Sequence, residues 1–402
     1  MTDDKNKFDL TTQLVHAGKE LRVDDFKPVT TPIYPSVTFT YGSMEEIDKV
    51  FGGEKKGYIY TRHGNPTLAS LEEALRVIEG GAFACVYSTG MAALHAALFA
   101  CELQPGATVL ASQDLYGATT NLLLNVFGSF GVKTVFVDFN DLDTVRARAL
   151  ELKPRVLIAE TISNPLLKVC DIEATAEIAH AAGARLIVDN TFASPYLCQP
   201  LKFGADLVVH SATKYLGGHG DVMGGVVVSR DEMDSLALVG VMKLVGGVLG
   251  VWEAHEIRRG MKTLSLRIER QCENALWIAE HLQRDARVGR VYYPGFVLRD
   301  VANPARRMLR SPYSGALVTI ELSNNTREAA FRFMDALHLC VRSTSLGDVF
   351  TSVLHPATAS HRDLVPGRRK ELGITDGLIR ISVGIESVTD IIGDIEQALD
   401  EI

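Results

Sequence analysis

The sequence is poor in cysteine, has no long apolar run without charged residues, and carries no excess of basic residues. Its six cysteines are widely spread and include no Cys-x-x-Cys pair, a pattern typical of a reducing compartment rather than of a disulfide framework or a zinc site. The formal net charge of −8 argues against a nucleic-acid-binding surface, which needs a basic stripe. We therefore expect no disulfides, no metal site and no nucleic-acid partner.

Membrane and export signals are also missing. The most apolar stretch, residues 236–252, contains Lys243 and several glycines. A membrane-spanning helix needs about 20 predominantly apolar residues, so this stretch is predicted to be buried or interfacial protein. The segment MTDDKNKFDL lacks the apolar core of a signal peptide. These features predict a soluble, cytoplasmic protein with no membrane partner.

The length of 402 residues predicts two to three domains, at about 150 residues each. Residues 26–41 contain three prolines and no helical period, which predicts an extended arm that lies against another surface, such as a second subunit. The pattern of the chain changes again near residue 260. We predict an N-terminal arm over residues 1–63, a cofactor-binding α/β domain over 64–260 and a smaller α+β domain over 261–402.

Short apolar runs alternate with helical segments between residues 67 and 230. Seven runs are predicted to be strands, at 83–87, 108–111, 133–137, 155–159, 185–188, 207–210 and 225–228. This alternation indicates an α/β fold with a mainly parallel sheet that helices cover on both faces. Ligands bind at the carboxyl ends of strands in such sheets, so the residues after each strand are the candidates for function.

Four segments that follow predicted strands carry residues suited to chemistry. STGM at 88–91 would let a phosphate approach a helix N-terminus, or would only form a tight turn. Asp189 is suited to three roles, as the partner of a cationic ring nitrogen, as a metal ligand or as a helix N-cap. Tyr116 suits stacking on a planar cofactor and proton transfer, or a place in the core. Lys214, which follows two hydroxyl side chains in HSATK, suits imine formation near a phosphate, or is a surface lysine.

These four features together match the needs of one cofactor. A phosphate cradle, an acid, a stacking ring and an imine-forming lysine are what pyridoxal phosphate requires, because a protonated ring nitrogen makes the ring an electron sink. A metal site does not account for the set. A dinucleotide fold is disfavoured because no Gly-x-Gly-x-x-Gly follows the first strand.

The sequence resembles the trans-sulfuration family of pyridoxal-phosphate enzymes, which includes methionine and cystathionine γ-lyases, cystathionine γ-synthase, cystathionine β-lyase and O-acylhomoserine sulfhydrylase. The similarity extends from QLVHAG at residue 13 to RISVGIE at residue 380, and SATKYLGGHGD is close to a family signature. The resemblance implies a fold-type-I subunit with a seven-stranded sheet and bound pyridoxal 5′-phosphate. It also implies a homotetramer built from active dimers.

The family motifs imply roles for the cofactor-binding residues. Lys214 corresponds to the lysine that binds the cofactor covalently, and Asp189 to the partner of the pyridine nitrogen. Tyr116 corresponds to the tyrosine that stacks on the ring and acts in catalysis as a proton donor. The residues implied to hold the phosphate are Gly90, Met91, Ser211 and Thr213.

Other motifs imply contacts to the substrate and to a second subunit. YTRHGNPT places Tyr60 and Arg62 in the segment that, in this family, reaches the phosphate of the neighbouring subunit. Asn164 corresponds to a residue near both the cofactor and the substrate carboxylate. Ser345 and Arg380 correspond to the pair that binds this carboxylate, a task to which a planar guanidinium is suited.

The same residues serve γ-elimination and γ-replacement, so only variable positions distinguish the two reactions. Thr344 stands where cystathionine-processing relatives often carry glutamate and methionine γ-lyases a small apolar residue. Ala118 replaces a cysteine typical of methionine γ-lyases, whereas SLGD at 345–348 is similar to that enzyme. We expect γ-elimination from a γ-substituted amino acid such as methionine, homocysteine or cystathionine, giving a 2-oxo acid, ammonia and a thiol. The alternative is γ-replacement, by a cystathionine γ-synthase or an O-acylhomoserine sulfhydrylase.

Overall fold

The structure is a computed structural model that describes residues 8–18, 28–300 and 303–402. It contains a seven-stranded sheet and a five-stranded sheet. The strands of the larger sheet are β1 (Phe83–Tyr87), β2 (Thr108–Ser112), β3 (Lys133–Val137), β4 (Val156–Glu160), β5 (Arg185–Asp189), β6 (Leu207–Ser211) and β7 (Gly225–Ser229). Those of the smaller sheet are β8 (Val288–Tyr292), β9 (Leu317–Leu322), β10 (Val341–Arg342), β11 (Ser352–Leu354) and β12 (Leu378–Ser382).

Helices connect most of these strands. The α-helices are α1 (Leu10–His16), α2 (Met44–Phe51), α3 (Pro66–Glu79), α4 (Gly90–Ala100), α5 (Gly117–Asn121), α6 (Leu142–Leu152), α7 (Ile172–Ala181), α8 (Ser194–Leu197), α9 (Asp234–Leu244), α10 (Val251–Met261), α11 (Leu264–Leu282), α12 (Pro294–Val297), α13 (Arg327–Ala336), α14 (Pro366–Glu371) and α15 (Val388–Leu399). Within the described ranges, no helix is both long enough and apolar enough to cross a membrane.

The larger sheet has the strand order β1-β7-β6-β5-β4-β2-β3. Strands β2 to β6 pair in parallel, and β7 runs antiparallel to both of its neighbours. The connection from β6 to β7 contains Lys214 and has no crossover helix, so β7 returns in the opposite direction. The mainly parallel sheet is the one predicted from the sequence, although the apolar pattern did not reveal the direction of β7.

Both faces of the larger sheet are buried, as expected for parallel strands. Every residue of β4 is buried: Leu157 and Ala159 face one hydrophobic cluster, and Val156 and Ile158 face the other. The first cluster includes residues of α3 and α7, and the second includes residues of α4 and α9. The side chains that can meet a ligand therefore lie at the ends of the strands.

The smaller sheet has the order β10-β11-β12-β9-β8 and packs one face against α11, α13 and α15. Side chains alternate along a strand, so Ile379 and Ile381 of β12 enter this core while Arg380 points the other way. Arg380 thereby reaches Asn164, which follows β4 of the larger sheet. This contact is one of those that join the two sheets at the cavity described below.

The N-terminal part of the chain packs partly on the rest of the same chain. Leu10 and Leu14 of α1 are buried in the first hydrophobic cluster, with α3 residues. Residues 28–43 form no helix, and a single bridge joins Thr38 to Tyr60. Residues 1–7 and 19–27 of the predicted arm lie outside the described residues. The division of the chain at residues 63 and 260 stays a prediction.

Candidate active site

A cavity of about 440 Å³ lies beyond the carboxyl ends of β4, β5 and β6. It is the place at which a parallel sheet binds its ligands. Ten of the residues predicted from the sequence line it: Gly90, Met91, Tyr116, Asn164, Asp189, Ser211, Thr213, Lys214, Thr344 and Arg380. Ser345 adjoins them through its contact with Lys214.

Lys214 lies in the tight turns that follow β6 and is partly buried. Its Nζ donates a hydrogen bond to Ser345 Oγ at 3.1 Å, which ties the larger sheet to the segment before β11. Burial, and then the positive charge of Arg380, lower the pKa of Lys214 from its usual value of 10.5. Both effects favour the neutral amine, which is the nucleophilic form. The alternative of an ordinary surface lysine is therefore wrong.

Small residues make the cradle at the N-terminus of α4. Thr89 caps this helix by accepting a hydrogen bond from the Ala92 N–H at 3.0 Å. A Cβ added to Gly90 would lie 2.9 Å from Ser211 Cβ, so a larger residue would push this turn away from the end of β6. The first turn of α4, Ser211 and Thr213 thus line the same end of the cavity, where a helix N-terminus and hydroxyl side chains are suited to a phosphate.

Asp189 is the last residue of β5. Its Oδ1 accepts hydrogen bonds from the Thr191 N–H at 2.9 Å and the Thr191 hydroxyl at 2.5 Å. Burial raises the pKa of Asp189 above 3.8, and the two Thr191 bonds oppose this. Asp189 caps no helix, since α8 begins only at Ser194. Among the described residues no cationic side chain is bonded to this partly buried carboxylate, which lines the cavity and is suited to a cationic ring nitrogen there.

Tyr116 stands immediately before α5, and its side chain is 41% exposed. The alternative of a core tyrosine is therefore wrong. The Tyr116 N–H donates to Glu160 Oε1 at 2.6 Å, which fixes the main chain beside the cavity. The Tyr116 side chain is one of those that line the cavity, and its main chain is held there by Glu160.

Arg380 is only 2% exposed although it carries a charge. Its Nη1 donates to Asn164 Oδ1 at 3.0 Å, its Nη2 donates to the Ser345 carbonyl at 3.1 Å, and its Nε has no partner among the described residues. Burial lowers the pKa of Arg380 to about 10, so the group stays cationic at neutral pH. A buried, oriented guanidinium with unused N–H groups is suited to a carboxylate.

Glu160 is a site residue that the sequence analysis missed. It ends β4, lines the cavity and is 8% exposed. Burial first, and then the nearby Asp189 carboxylate, raise the pKa of Glu160 well above its usual 4.5. The rule that functional residues follow parallel strands applies to Glu160 as it does to Asp189. The signal was available, but the predicted strand ended one residue too early.

Tyr60 and Arg62 do not line this cavity. Arg62 Nη1 donates to the Lys243 carbonyl at the end of α9 at 2.5 Å, and its guanidinium lies 5.3 Å from the centre of the Tyr60 ring. Tyr60 is 38% exposed. Their predicted role is contact with the phosphate of a neighbouring subunit, and it stays a prediction.

The residues that line the cavity are chemically suited to pyridoxal phosphate. A cradle that a single Cβ would fill, a partly buried carboxyl and an amine with a lowered pKa lie around one space. No group of three or more His, Cys, Asp or Glu residues is placed to hold a metal ion in the parts of the chain that the structure describes. The arrangement can bind a phosphorylated aromatic aldehyde at Lys214 and a carboxylate at Arg380.

Known proteins are similar to this chain over nearly its whole length. The model of a family described as Cys/Met metabolism PLP-dependent enzyme matches residues 11–400. An L-methionine gamma-lyase of Fusobacterium nucleatum subsp. polymorphum is 41% identical over 398 residues, which cover 98% of this chain and 99% of the relative. A cystathionine gamma-synthase of Mycobacterium bovis is 40% identical and covers 96% of each chain. The crystal structure of cystathionine gamma-lyase from Lactobacillus plantarum, complexed with L-serine, has a TM-score of 0.90 and 32% identity and covers 98% of this chain and 99% of that one.

Proposed function

Because the chain belongs to the Cys/Met metabolism PLP-dependent enzyme family, we propose that it catalyses γ-elimination from a γ-substituted L-amino acid such as methionine or homocysteine. The products are a 2-oxo acid, ammonia and a thiol. Membership in this family confirms the predicted fold-type-I architecture and the dependence on pyridoxal phosphate. The choice of substrate and reaction is the proposed part.

One observation carries the choice of substrate. Among the described residues, the charged side chains that line the cavity are Asp189, Glu160, Lys214 and Arg380, and each has a place in the proposed site. The rest of the wall is neutral and includes Met223, Thr344, Leu346, Leu354 and Ala359. A neutral wall accepts a methylthio or thiol group readily, but it would leave the distal ammonium of cystathionine unpaired.

The cofactor would be held by residues of the larger sheet. Lys214 would carry it covalently, Asp189 would face its ring nitrogen, and Tyr116 would stack on its ring. The phosphate would be held by Gly90, Met91, Ser211 and Thr213. When bound, pyridoxal phosphate withdraws electrons from the substrate Cα, which makes the Cα proton acidic and prepares loss of the γ-substituent.

The protein side chains would then bind the substrate and move protons. Two of the five N–H groups of Arg380 are bonded to Asn164 and Ser345, and the others are free to bind the substrate carboxylate. The Lys214 Nζ, whose pKa is lowered, accepts the proton from Cα. The Tyr116 hydroxyl donates a proton to the departing sulfur.

γ-Replacement is the second candidate. The similarity to the cystathionine gamma-synthase of Mycobacterium bovis, 40% identical over 389 residues, favours it. All of the residues named above would serve that reaction as well, with a thiol adding at Cγ instead of the hydrolysis that releases the 2-oxo acid and ammonia. The difference would lie in whether a second substrate can enter the cavity.

Product analysis of the purified holoenzyme tests the proposal. L-methionine, L-homocysteine, L-cystathionine and O-acetylhomoserine are each supplied with and without a thiol, and 2-oxobutanoate, pyruvate and thioether are measured. We expect 2-oxobutanoate from methionine or homocysteine. Thioether as the main product from O-acetylhomoserine would instead support γ-replacement, and pyruvate from cystathionine would indicate β-elimination.

We further propose that the site is shared between subunits of a homotetramer. Tyr60 and Arg62 lie outside the cavity of their own chain, on a surface next to the end of α9. In a twofold-symmetric dimer, each copy can offer such a surface to the other copy. The phosphate cradle would then gain a cation that its own chain does not supply.

Mixing two inactive variants tests the shared site. Arg62→Ala keeps Lys214, and Lys214→Ala keeps Arg62, so a mixed dimer has one complete site. After unfolding and refolding together in equal amounts, the mixture should recover about a quarter of the wild-type activity for random pairing of two copies. Each variant refolded alone is the control. Failure of the mixture to exceed the Arg62→Ala variant would contradict a shared site.

A further inference from the structure

Glu160 holds two separate loops at once. Its Oε1 accepts the Tyr116 N–H at 2.6 Å, and its Oε2 accepts the Asn164 N–H at 3.2 Å. Tyr116 belongs to the loop after β2 and Asn164 to the loop after β4. One carboxyl group therefore connects two walls of the cavity.

The bond to Asn164 continues towards the substrate. The Asn164 side-chain Oδ1 accepts a hydrogen bond from Arg380 Nη1 at 3.0 Å. Glu160 fixes the backbone of Asn164, and the Asn164 amide in turn fixes the guanidinium. Asn164 is 4% exposed and Arg380 is 2% exposed, so little solvent is available to replace either bond. A shift of the Glu160 carboxyl would therefore move both the Tyr116 ring and the Arg380 guanidinium.

The position of Glu160 in the sheet explains why an ionised carboxyl group at this place costs free energy. Glu160 and Asp189 are partners in the register of β4 and β5, at the ends of neighbouring strands. Burial and the Asp189 charge raise the pKa of Glu160, and the two backbone N–H groups lower it. Both oxygens are bonded to main-chain donors, which is suited to holding the loops rather than to transferring a proton.

We infer that Glu160 is a positioning residue, which sets the distance between the tyrosine that covers the cofactor and the arginine that binds the substrate carboxylate. The inference deepens the proposed function and rests on its assignment of Tyr116 and Arg380. It requires only that an amino acid binds with its carboxylate at Arg380. It therefore applies equally to γ-elimination and to γ-replacement.

Glycine binding to the holoenzyme tests this role independently of the γ-chemistry. Glycine has the amino and carboxylate groups that the site would bind, and it has no γ-substituent. The binding of glycine is measured as a change in the absorption of the cofactor. In Glu160→Gln, the amide NH2 would face one of the two backbone N–H donors, so one bond is lost. We expect the dissociation constant for glycine to rise roughly tenfold to hundredfold, as for a buried N–H group left without its acceptor. The absorption of the bound cofactor should remain.

Two further variants separate positioning from general stability. Asp394→Asn is the matched control, because Asp394 also accepts main-chain hydrogen bonds, from His338, Leu339 and Cys340, but lies outside the cavity. It should lower the unfolding temperature and leave glycine binding unchanged. Glu160→Asp keeps the carboxyl group but is one methylene shorter, and it should give an intermediate dissociation constant. It also provides the test if Glu160→Gln does not fold.

The outcomes are distinguishable. An unchanged dissociation constant in folded Glu160→Gln or Glu160→Asp would overturn the inference. Loss of the cofactor absorption in these variants would also overturn it, because Glu160 would then hold the cofactor itself. A wild-type enzyme that binds glycine but releases no 2-oxo acid from any γ-substituted amino acid would instead contradict the proposed function and leave the role of Glu160 standing.

Discussion

The replacement of Arg380 by lysine tests the assignment of the substrate carboxylate most directly. Arg380 is buried and keeps its orientation through Asn164 Oδ1 at 3.0 Å and the Ser345 carbonyl at 3.1 Å. Lysine retains the positive charge but has neither the planar fork nor the reach to satisfy both acceptors and a carboxylate together. The variant therefore removes the geometry of binding and keeps the charge.

The size of the effect follows from the number of bonds lost. A hydrogen bond to a charged group contributes about 1.5–3 kcal/mol, and a lysine in place of a bidentate arginine loses at least one such bond to the substrate. This corresponds to a rise in KM of roughly ten- to 150-fold. The kcat should change less, because Lys214 and Tyr116 keep their places at the cavity.

The assay is release of 2-oxobutanoate from the best substrate of the wild-type enzyme, measured over a range of concentrations. Arg185→Lys is the matched control, because Arg185 forms a two-bond pair with Asp234, at 2.7 and 2.6 Å, outside the cavity. This control should lower stability and leave KM unchanged. A KM for Arg380→Lys within roughly twofold of the wild-type value would refute the assignment, since it would show that no bidentate carboxylate bond was lost.

Other variants test the remaining parts of the site. Lys214→Ala should abolish turnover and remove the absorption of the covalently bound cofactor, whereas the exposed Lys133→Ala should change neither. Burial and Arg380 lower the pKa of His361 from 6.5 to about 4, so the unfolded chain binds more protons in that range. The free energy of unfolding should fall by up to about 3 kcal/mol between pH 6.5 and pH 4, and His361→Gln should flatten this dependence in urea titrations. Thr344→Glu should raise kcat/KM for cystathionine relative to methionine by roughly tenfold, because its carboxylate can pair with the distal ammonium; an unchanged ratio would contradict the neutral-wall argument.

The sequence predicted the strands of the larger sheet well but ended most of them one residue early. The apolar run at 185–188 predicts a strand, and the observed strand continues to Asp189. The run at 155–159 likewise ends one residue before Glu160, the last residue of β4. A search for apolar residues stops at the first polar side chain. At the carboxyl edge of a parallel sheet this polar residue is still paired in the sheet and already faces the ligand.

Other features had no local signal. The antiparallel direction of β7 depends on the path of the connection from residue 212 to residue 224, not on the composition of the strand. The bond between Asn164 and Arg380 joins residues far apart in the chain, and no single-sequence pattern predicts such a contact. The resemblance to a family supplied both residues as members of the site, but it did not supply Glu160, whose role depends on two loops that meet only in the fold.

The two sheets contribute different residues to the proposed site. Residues proposed to hold the cofactor, among them Lys214 and Asp189, lie at the edge of the larger sheet, whereas Thr344, Ser345 and Arg380 belong to the smaller sheet and its loops. The hydrogen bonds from Lys214 to Ser345 and from Arg380 to Asn164 cross between them. A change at Thr344, which lines the cavity beside these bonds, would therefore alter the proposed substrate end of the site and leave both bonds in place. This division gives a physical reason why relatives about 40% identical to this chain carry the names of both a lyase and a synthase.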